Sequence, residues 1–140
     1  MVGLNHDTLQ ENAMAAILVI EDDEFFQSYL DLVLSGEGHE VRIAVDGDAG
    51  LAAASAMPPD LILCDMSMPK MTGFEVIRAL KRLDHVKDVP IIALSAHDTT
   101  ADHNEAFAAG VTAYETKPVE MDRLIDSVND ALAGLSPGGA

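Results

Sequence analysis

Five residues scattered along the chain carry groups that could do chemistry together: the adjacent acids Glu21 and Asp22, then Asp65, Ser95 and Lys117. Each stands at the end of a short apolar run or one step beyond it. Carboxylates brought close together repel and raise one another's pKa unless a cation lies among them. Oxygen-only ligands suit Mg²⁺, which keeps some of its water and takes one or two carboxylates along with a phosphate. A carboxylate is also a known covalent nucleophile that forms an acyl phosphate. Phosphoryl transfer spreads charge over three oxygens, so the protein's task is positioning and neutralisation. With a cation on one oxygen, the Lys117 ammonium on a second and the Ser95 hydroxyl on the third, every member of the set has work.

The runs that precede these residues are what must bring them together. Ala16-Ile17-Leu18-Val19-Ile20 is apolar throughout, as expected of a strand buried on both faces of a parallel sheet. A helical stripe follows, made by Phe25, Phe26, Tyr29, Leu30, Val33 and Leu34 and ended near Gly36 and Gly38. Val41 to Val45 alternates like a strand, and an alanine-rich helix covers about 48–56 before Pro58-Pro59 stops it. Leu61-Ile62-Leu63-Cys64 is a further buried strand ending in Asp65, with a helix from about Gly73 to Leu83 behind it. Val89 to Leu94 leads to Ser95, a helix spans Thr100 to Ala109, and Val111 to Thr116 leads to Lys117-Pro118. The last helix, about Glu120 to Ala133, turns Met121, Leu124, Ile125, Val128 and Leu132 to one side. Strands and helices that alternate in this way predict a parallel α/β sheet covered on both faces. Ligands bind such sheets at the carboxyl ends of the strands, where all five chemical residues fall.

Bulk composition bounds the rest. A chain of 140 residues with 49% apolar content has room for one ordinary domain with its own core. Residues 1–15 are polar and aperiodic and read as a flexible extension, 16–133 as the folded unit, and 134–140 as a flexible tail of linker composition. The apolar runs are too short to cross a membrane, and the N-terminus has no signal-peptide pattern. A net charge of −16 repels nucleic acid and anionic lipid. The one cysteine, Cys64, can neither bridge within the chain nor build a zinc site, which fits a reducing cytoplasm.

Four motifs stand in register: Ile17-Leu18-Val19-Ile20-Glu21-Asp22-Asp23-Glu24, Asp60-Leu61-Ile62-Leu63-Cys64-Asp65-Met66-Ser67-Met68-Pro69 with Gly73 after it, Ala93-Leu94-Ser95-Ala96, and Tyr114-Glu115-Thr116-Lys117-Pro118. Their order and spacing resemble the receiver domains of two-component response regulators over about residues 16–133. Any one of them alone would be weak. The resemblance implies a flavodoxin-like doubly wound (βα)5 three-layer sandwich with strands in the order 2-1-3-4-5. It implies that Asp65 accepts a phosphoryl group from a sensor histidine kinase or a histidine phosphotransfer protein. Asp22, Asp65 and the backbone carbonyl of Ser67 would bind Mg²⁺ directly, with Glu21 acting through water. Ser95 would hydrogen-bond the phosphoryl group, and its inward movement would let Tyr114 rotate from exposed to buried and change the surface offered to a downstream target. Pro118 would follow a cis bond, and Ser67 and His97 would occupy the positions that tune autodephosphorylation. With only a short tail after the last helix, output is expected through protein contacts, from a single-domain regulator that is a monomer or weak dimer.

Other roles are open to individual residues. Tyr114 also reads as a strand residue packed for its bulk, and Met66, Met68 and Met71 read as packing filler before a lining of the active-site loop or a docking patch. Cys64 reads as a small core residue, Asp23 as charge at a helix start, and the scattered histidines as surface residues without metal-ligand spacing. Three other functions use a similar frame. A haloacid-dehalogenase-like phosphatase needs a second acid where this chain has Ser67, and a flavodoxin-like flavin carrier needs a hydroxyl-rich loop where this chain has Glu21-Asp22-Asp23-Glu24. A receiver-like binding module that never takes phosphate would not need the complete set.

Overall fold

The structure is a computed structural model that describes residues 14–134; most of the expected extension and all but one residue of the expected tail lie outside them. Among the described residues, five strands alternate with five helices: β1 (Ala16–Ile20), α1 (Glu24–Gly36), β2 (Glu40–Ala44), α2 (Gly47–Ala56), β3 (Leu61–Asp65), α3 (Gly73–Lys81), β4 (Ile91–Ser95), α4 (Thr100–Ala109), β5 (Ala113–Thr116) and α5 (Met121–Leu132). The strands form one parallel sheet in the order β2-β1-β3-β4-β5. The direction of winding reverses between β1 and β3, and there the strand ends open onto a crevice.

Alternation along the strands builds two cores from one sheet. Leu18 and Ile20 join Ile62, Cys64, Val76, Ile77 and Leu80 on the face covered by α2, α3 and α4. Ile17 and Val19 join Leu30, Leu34, Leu61, Leu63, Leu124 and Val128 on the face covered by α1 and α5. This two-sided burial is why β1 and β3 read as continuous apolar runs. Each buried Leu or Ile contributes roughly 1.5–3 kcal/mol. Side chains also fix where the helices start. Asp23 accepts from Phe26 N, Asp46 from Ala49 N and Thr99 from Asp102 N, while Thr72 and Glu75 form a reciprocal capping box. Gly110 ends α4 in the left-handed region (φ 117°), a conformation that favours glycine.

Several sequence expectations shift. β2 ends at Ala44, and Val45 beyond it is exposed. β4 starts at Ile91, after Pro90, and β5 at Ala113. Phe25 and Met121, read as core-facing, are exposed (88% and 54%): in the first turn of α1 it is Phe26, one residue on, that packs against the core. His39 is no surface residue: it is buried, and its Nδ1 accepts from Ala15 N at 3.1 Å, where the chain enters β1. Cys64 is fully buried, and burial pushes its thiol far up, so it is a core residue. No helix among the described residues is long and apolar enough to cross a membrane.

Burial lowers the pKa of His39, with Glu37 opposing. The folded chain therefore releases this proton more readily than the unfolded chain. Stability is full above the ordinary imidazole range and is lost as pH falls through it toward the lowered folded value. His39→Asn, which keeps an acceptor for Ala15 N, should flatten the decline in Tm between about pH 7 and pH 5 relative to the native chain. An unchanged slope would show that the imidazole binds its proton equally well in the folded and unfolded chain.

Candidate functional site

The acids arrive from β1 and β3, neighbours in the middle of the sheet. Glu21 and Asp22 follow the last residue of β1, and Asp65 is the last residue of β3. Carboxylate oxygens of Glu21, Asp22 and Asp65 all lie within 4.8 Å of one another. Glu21 is fully buried and Asp65 nearly so, while Asp22 is exposed at the mouth. Lys117, one residue past β5, crosses β4 to reach them: Nζ is 2.9 Å from Glu21 Oε1 and 3.4 Å from Asp65 Oδ1. The crossing is held by Lys117 N, which donates to Ser95 O at 2.7 Å, and the Lys117-Pro118 bond is cis as the resemblance implied.

Backbone donors orient the carboxylates. Glu21 Oε2 accepts from Asp23 N at 3.0 Å, and Asp65 Oδ1 accepts from Ser67 N at 3.2 Å. The Glu21 main chain is pinned as well, since its carbonyl accepts from Gln27 Nε2 at 2.7 Å. Glu21 Oε1 has the Lys117 ammonium 2.9 Å away and no other polar partner, although it is buried. Behind Asp65 the packing is tight: a Cβ on Gly73 would lie 2.6 Å from both Asp65 O and Met66 Cα.

Electrostatics reflect this crowding. Burial pushes the carboxyls of Glu21 and Asp65 above the usual range, and the hydrogen bonds from Asp23 N and Ser67 N with the Lys117 charge only partly offset it. For Asp65, a side-chain hydrogen bond with Asp22 adds to the rise. Burial alone would lower Lys117, but the two carboxylates together outweigh it and hold the ammonium above the ordinary lysine range. Three carboxylates thus face one ammonium in a pocket that favours less negative charge than it carries. A hard divalent cation with oxygen ligands fits that donor set, and the Glu21 oxygen that Lys117 alone approaches has room to accept from a metal-bound water as well.

Ser95 and Tyr114 lie to one side. Ser95 is buried at the end of β4, and its Oγ accepts from His97 N at 3.0 Å. Tyr114 on β5 is buried too, its hydroxyl donating to His97 O at 2.6 Å and its ring stacked on His103 at 3.9 Å between centroids. His103 in turn pairs with Asp98 at 2.6 Å. The residues expected to switch are therefore both bonded to the main chain of His97. Ser67 stands on the loop after β3, with its N–H on Asp65. Sequence reasoning did not find the main-chain role of His97, the brace from Gln27 or the place of Phe26, whose ring lies under Lys117. Phe26 showed only as one apolar position in a helical stripe.

Two outcomes test this geometry. Gly73→Ala should destabilise the fold by roughly 1–3 kcal/mol through overpacking, read as a shifted denaturant midpoint. The raised pKa of Asp65 means that the fold prefers its neutral form, so stability is full below the ordinary carboxylate range and falls as pH rises through the folded value. Without divalent ions, Asp65→Asn should thus raise stability at neutral pH, with no gain in acid. A loss at neutral pH would mean that the pocket tolerates all its charge.

A family profile of the response regulator receiver domain matches residues 17–129. Protein PilH of Pseudomonas aeruginosa is 33% identical over 121 residues, covering 86% of this chain and 100% of PilH. The DNA-binding dual master transcriptional regulator RpaA of Synechocystis is 34% identical over 119 residues, but the match takes in 85% of this chain and 49% of RpaA. The chain thus spans about half the length of several curated relatives that it matches. Among solved structures, the chemotaxis response regulator CheY4 of Vibrio cholerae superposes with a TM-score of 0.81 at 30% identity, covering 84% of this chain and 98% of CheY4. The receiver domain of the Francisella response regulator 1452 gives a TM-score of 0.80 at 28% identity, covering 86% and 98%. Fold, strand order, acidic pocket and these likenesses agree: the chain belongs to the response regulator receiver domain family of two-component signal transduction.

Proposed function

We propose that the chain is a phosphoacceptor switch in which Asp65 takes a phosphoryl group from a phosphohistidine on a sensor histidine kinase or a histidine phosphotransfer protein. The observation that carries this reading is the meeting of Glu21, Asp22 and Asp65 within 4.8 Å, with Lys117 2.9 Å and 3.4 Å from two of them. An Asp65 carboxylate oxygen attacks phosphorus in line; a P–O bond forms, the P–N bond breaks, and its electron pair returns to the departing imidazole. Lys117 stands beside Asp65 and meets charge developing on a phosphoryl oxygen. The Ser95 Oγ already accepts from His97 N, which leaves its own proton to donate to another oxygen. Asp22, Asp65 and the Ser67 carbonyl would hold Mg²⁺, with Glu21 engaged through water. When bound, Mg²⁺ supplies neutralisation of the remaining negative charge.

Buried Tyr114, tied with Ser95 to one residue's main chain, supports a link between phosphorylation and the surface made by α4, β5 and α5, where a downstream target protein would dock. A mostly apolar cleft of about 410 Å³, lined by Phe25, Phe26, Tyr29, Pro118 and Val119 with Asp23 at its edge, gives a protein phosphodonor a foothold beside the Lys117-Pro118 turn. The buried Cys64 accords with a reducing cytoplasm.

Incubation with Mg²⁺ and acetyl phosphate should add one phosphoryl mass to the native chain, seen by intact-protein mass spectrometry. EDTA and Asp65→Ala should each abolish it. Labelling of the Asp65→Ala chain would move the acceptor elsewhere, and labelling unaffected by EDTA would remove the metal from the reading.

A further inference from the structure

Lys117 is a flexible four-carbon stem with a point charge at its tip, so its neighbours decide where that charge sits. Two are carboxylates, Glu21 Oε1 at 2.9 Å and Asp65 Oδ1 at 3.4 Å, and the closer one is also the more deeply buried. The ammonium therefore leans toward Glu21, and any further shift that way would take it from the proposed acceptor. The third neighbour is neutral. Nζ lies over the ring of Phe26, 4.6 Å from its centroid, inside the range of a cation–π contact.

The ring does not move freely. It stacks on Tyr29 with centroids 5.8 Å apart and planes 23° from parallel. Tyr29 in turn donates its hydroxyl to Val119 O at 2.8 Å, just past the Lys117-Pro118 turn. Two aromatic residues of α1 therefore grip this loop at both ends, the side chain of Lys117 and the carbonyl of Val119. Leucine or methionine at position 26 would fill much of the same space but offer no negative ring face.

We propose that Phe26 is a positioning residue for phosphoryl transfer: its ring keeps the Lys117 ammonium shared between Glu21 and Asp65. This rests on the phosphoacceptor reading above, and its test separates the two. NMR of the folded chain should show the ε-methylene protons of Lys117 shifted upfield by the ring. In Phe26→Leu that shift should vanish, and in Phe26→Tyr it should persist. With Mg²⁺, the maximal rate of acetyl phosphate labelling should fall roughly three- to tenfold in Phe26→Leu, with the half-saturating donor concentration unchanged, and recover in Phe26→Tyr. Mere packing predicts the reverse split, a lower Tm in Phe26→Leu with an unaltered maximal rate, and that result overturns the proposal. So does an unshifted Lys117 in the native chain. A native chain that takes no phosphate overturns the phosphoacceptor reading instead, while the Lys117 resonance still decides whether ring and ammonium meet.

Discussion

Unbalanced charge at the sheet's edge governs this molecule. Glu21, Asp22 and Asp65 are drawn together by β1 and β3, and Lys117 is the lone ammonium between Glu21 and Asp65, so the ionised pocket keeps two negative charges uncompensated. No arrangement of the sheet relieves this, because parallel strands in register carry their ends to one edge. The strands behind the pocket bear the cost. β1, β3 and β4 are apolar on both faces, and their burial supplies the stability that the pocket withdraws. A carboxylate cluster held against its own repulsion weighs on stability, as sites shaped for something other than folding commonly do.

The organisation of the fold could be read from the chain because each signal was local. Short apolar or alternating runs, each followed by a helical segment and punctuated by Gly or Pro, specify strand, crossover and turn without knowledge of their neighbours. The acids and Lys117 were legible for a related reason: they stand at strand ends, which a parallel sheet gathers regardless of side-chain detail. What stayed hidden depends on contacts across elements. Nothing around His39 marks it as an acceptor for the backbone of β1, and an apolar stripe does not tell that Phe25 points to water while Phe26 lies under a lysine. Strand edges slipped by one or two residues for simpler causes, such as the missing N–H of Pro90 before β4.

Two kinds of support hold the pocket, and they differ in tolerance to change. Backbone donors from Asp23 and Ser67 orient the carboxylates whatever side chains those positions carry, provided the turns survive. Side-chain supports such as Gln27 and Phe26 are specific to residue type. Gly73 belongs to a third kind, since it acts by occupying no space against the carbonyl of Asp65.

Position 97 joins Ser95 to Tyr114 through its amide and its carbonyl, and the imidazole takes no part in either bond. A linkage built from peptide groups alone is indifferent to which amino acid supplies them, with proline excepted. Evolution can thus rewrite that side chain, and with it whatever touches the neighbouring solvent, without cutting the wire between hydroxyl and phenol. The imidazole and the peptide linkage at position 97 can therefore change independently of each other.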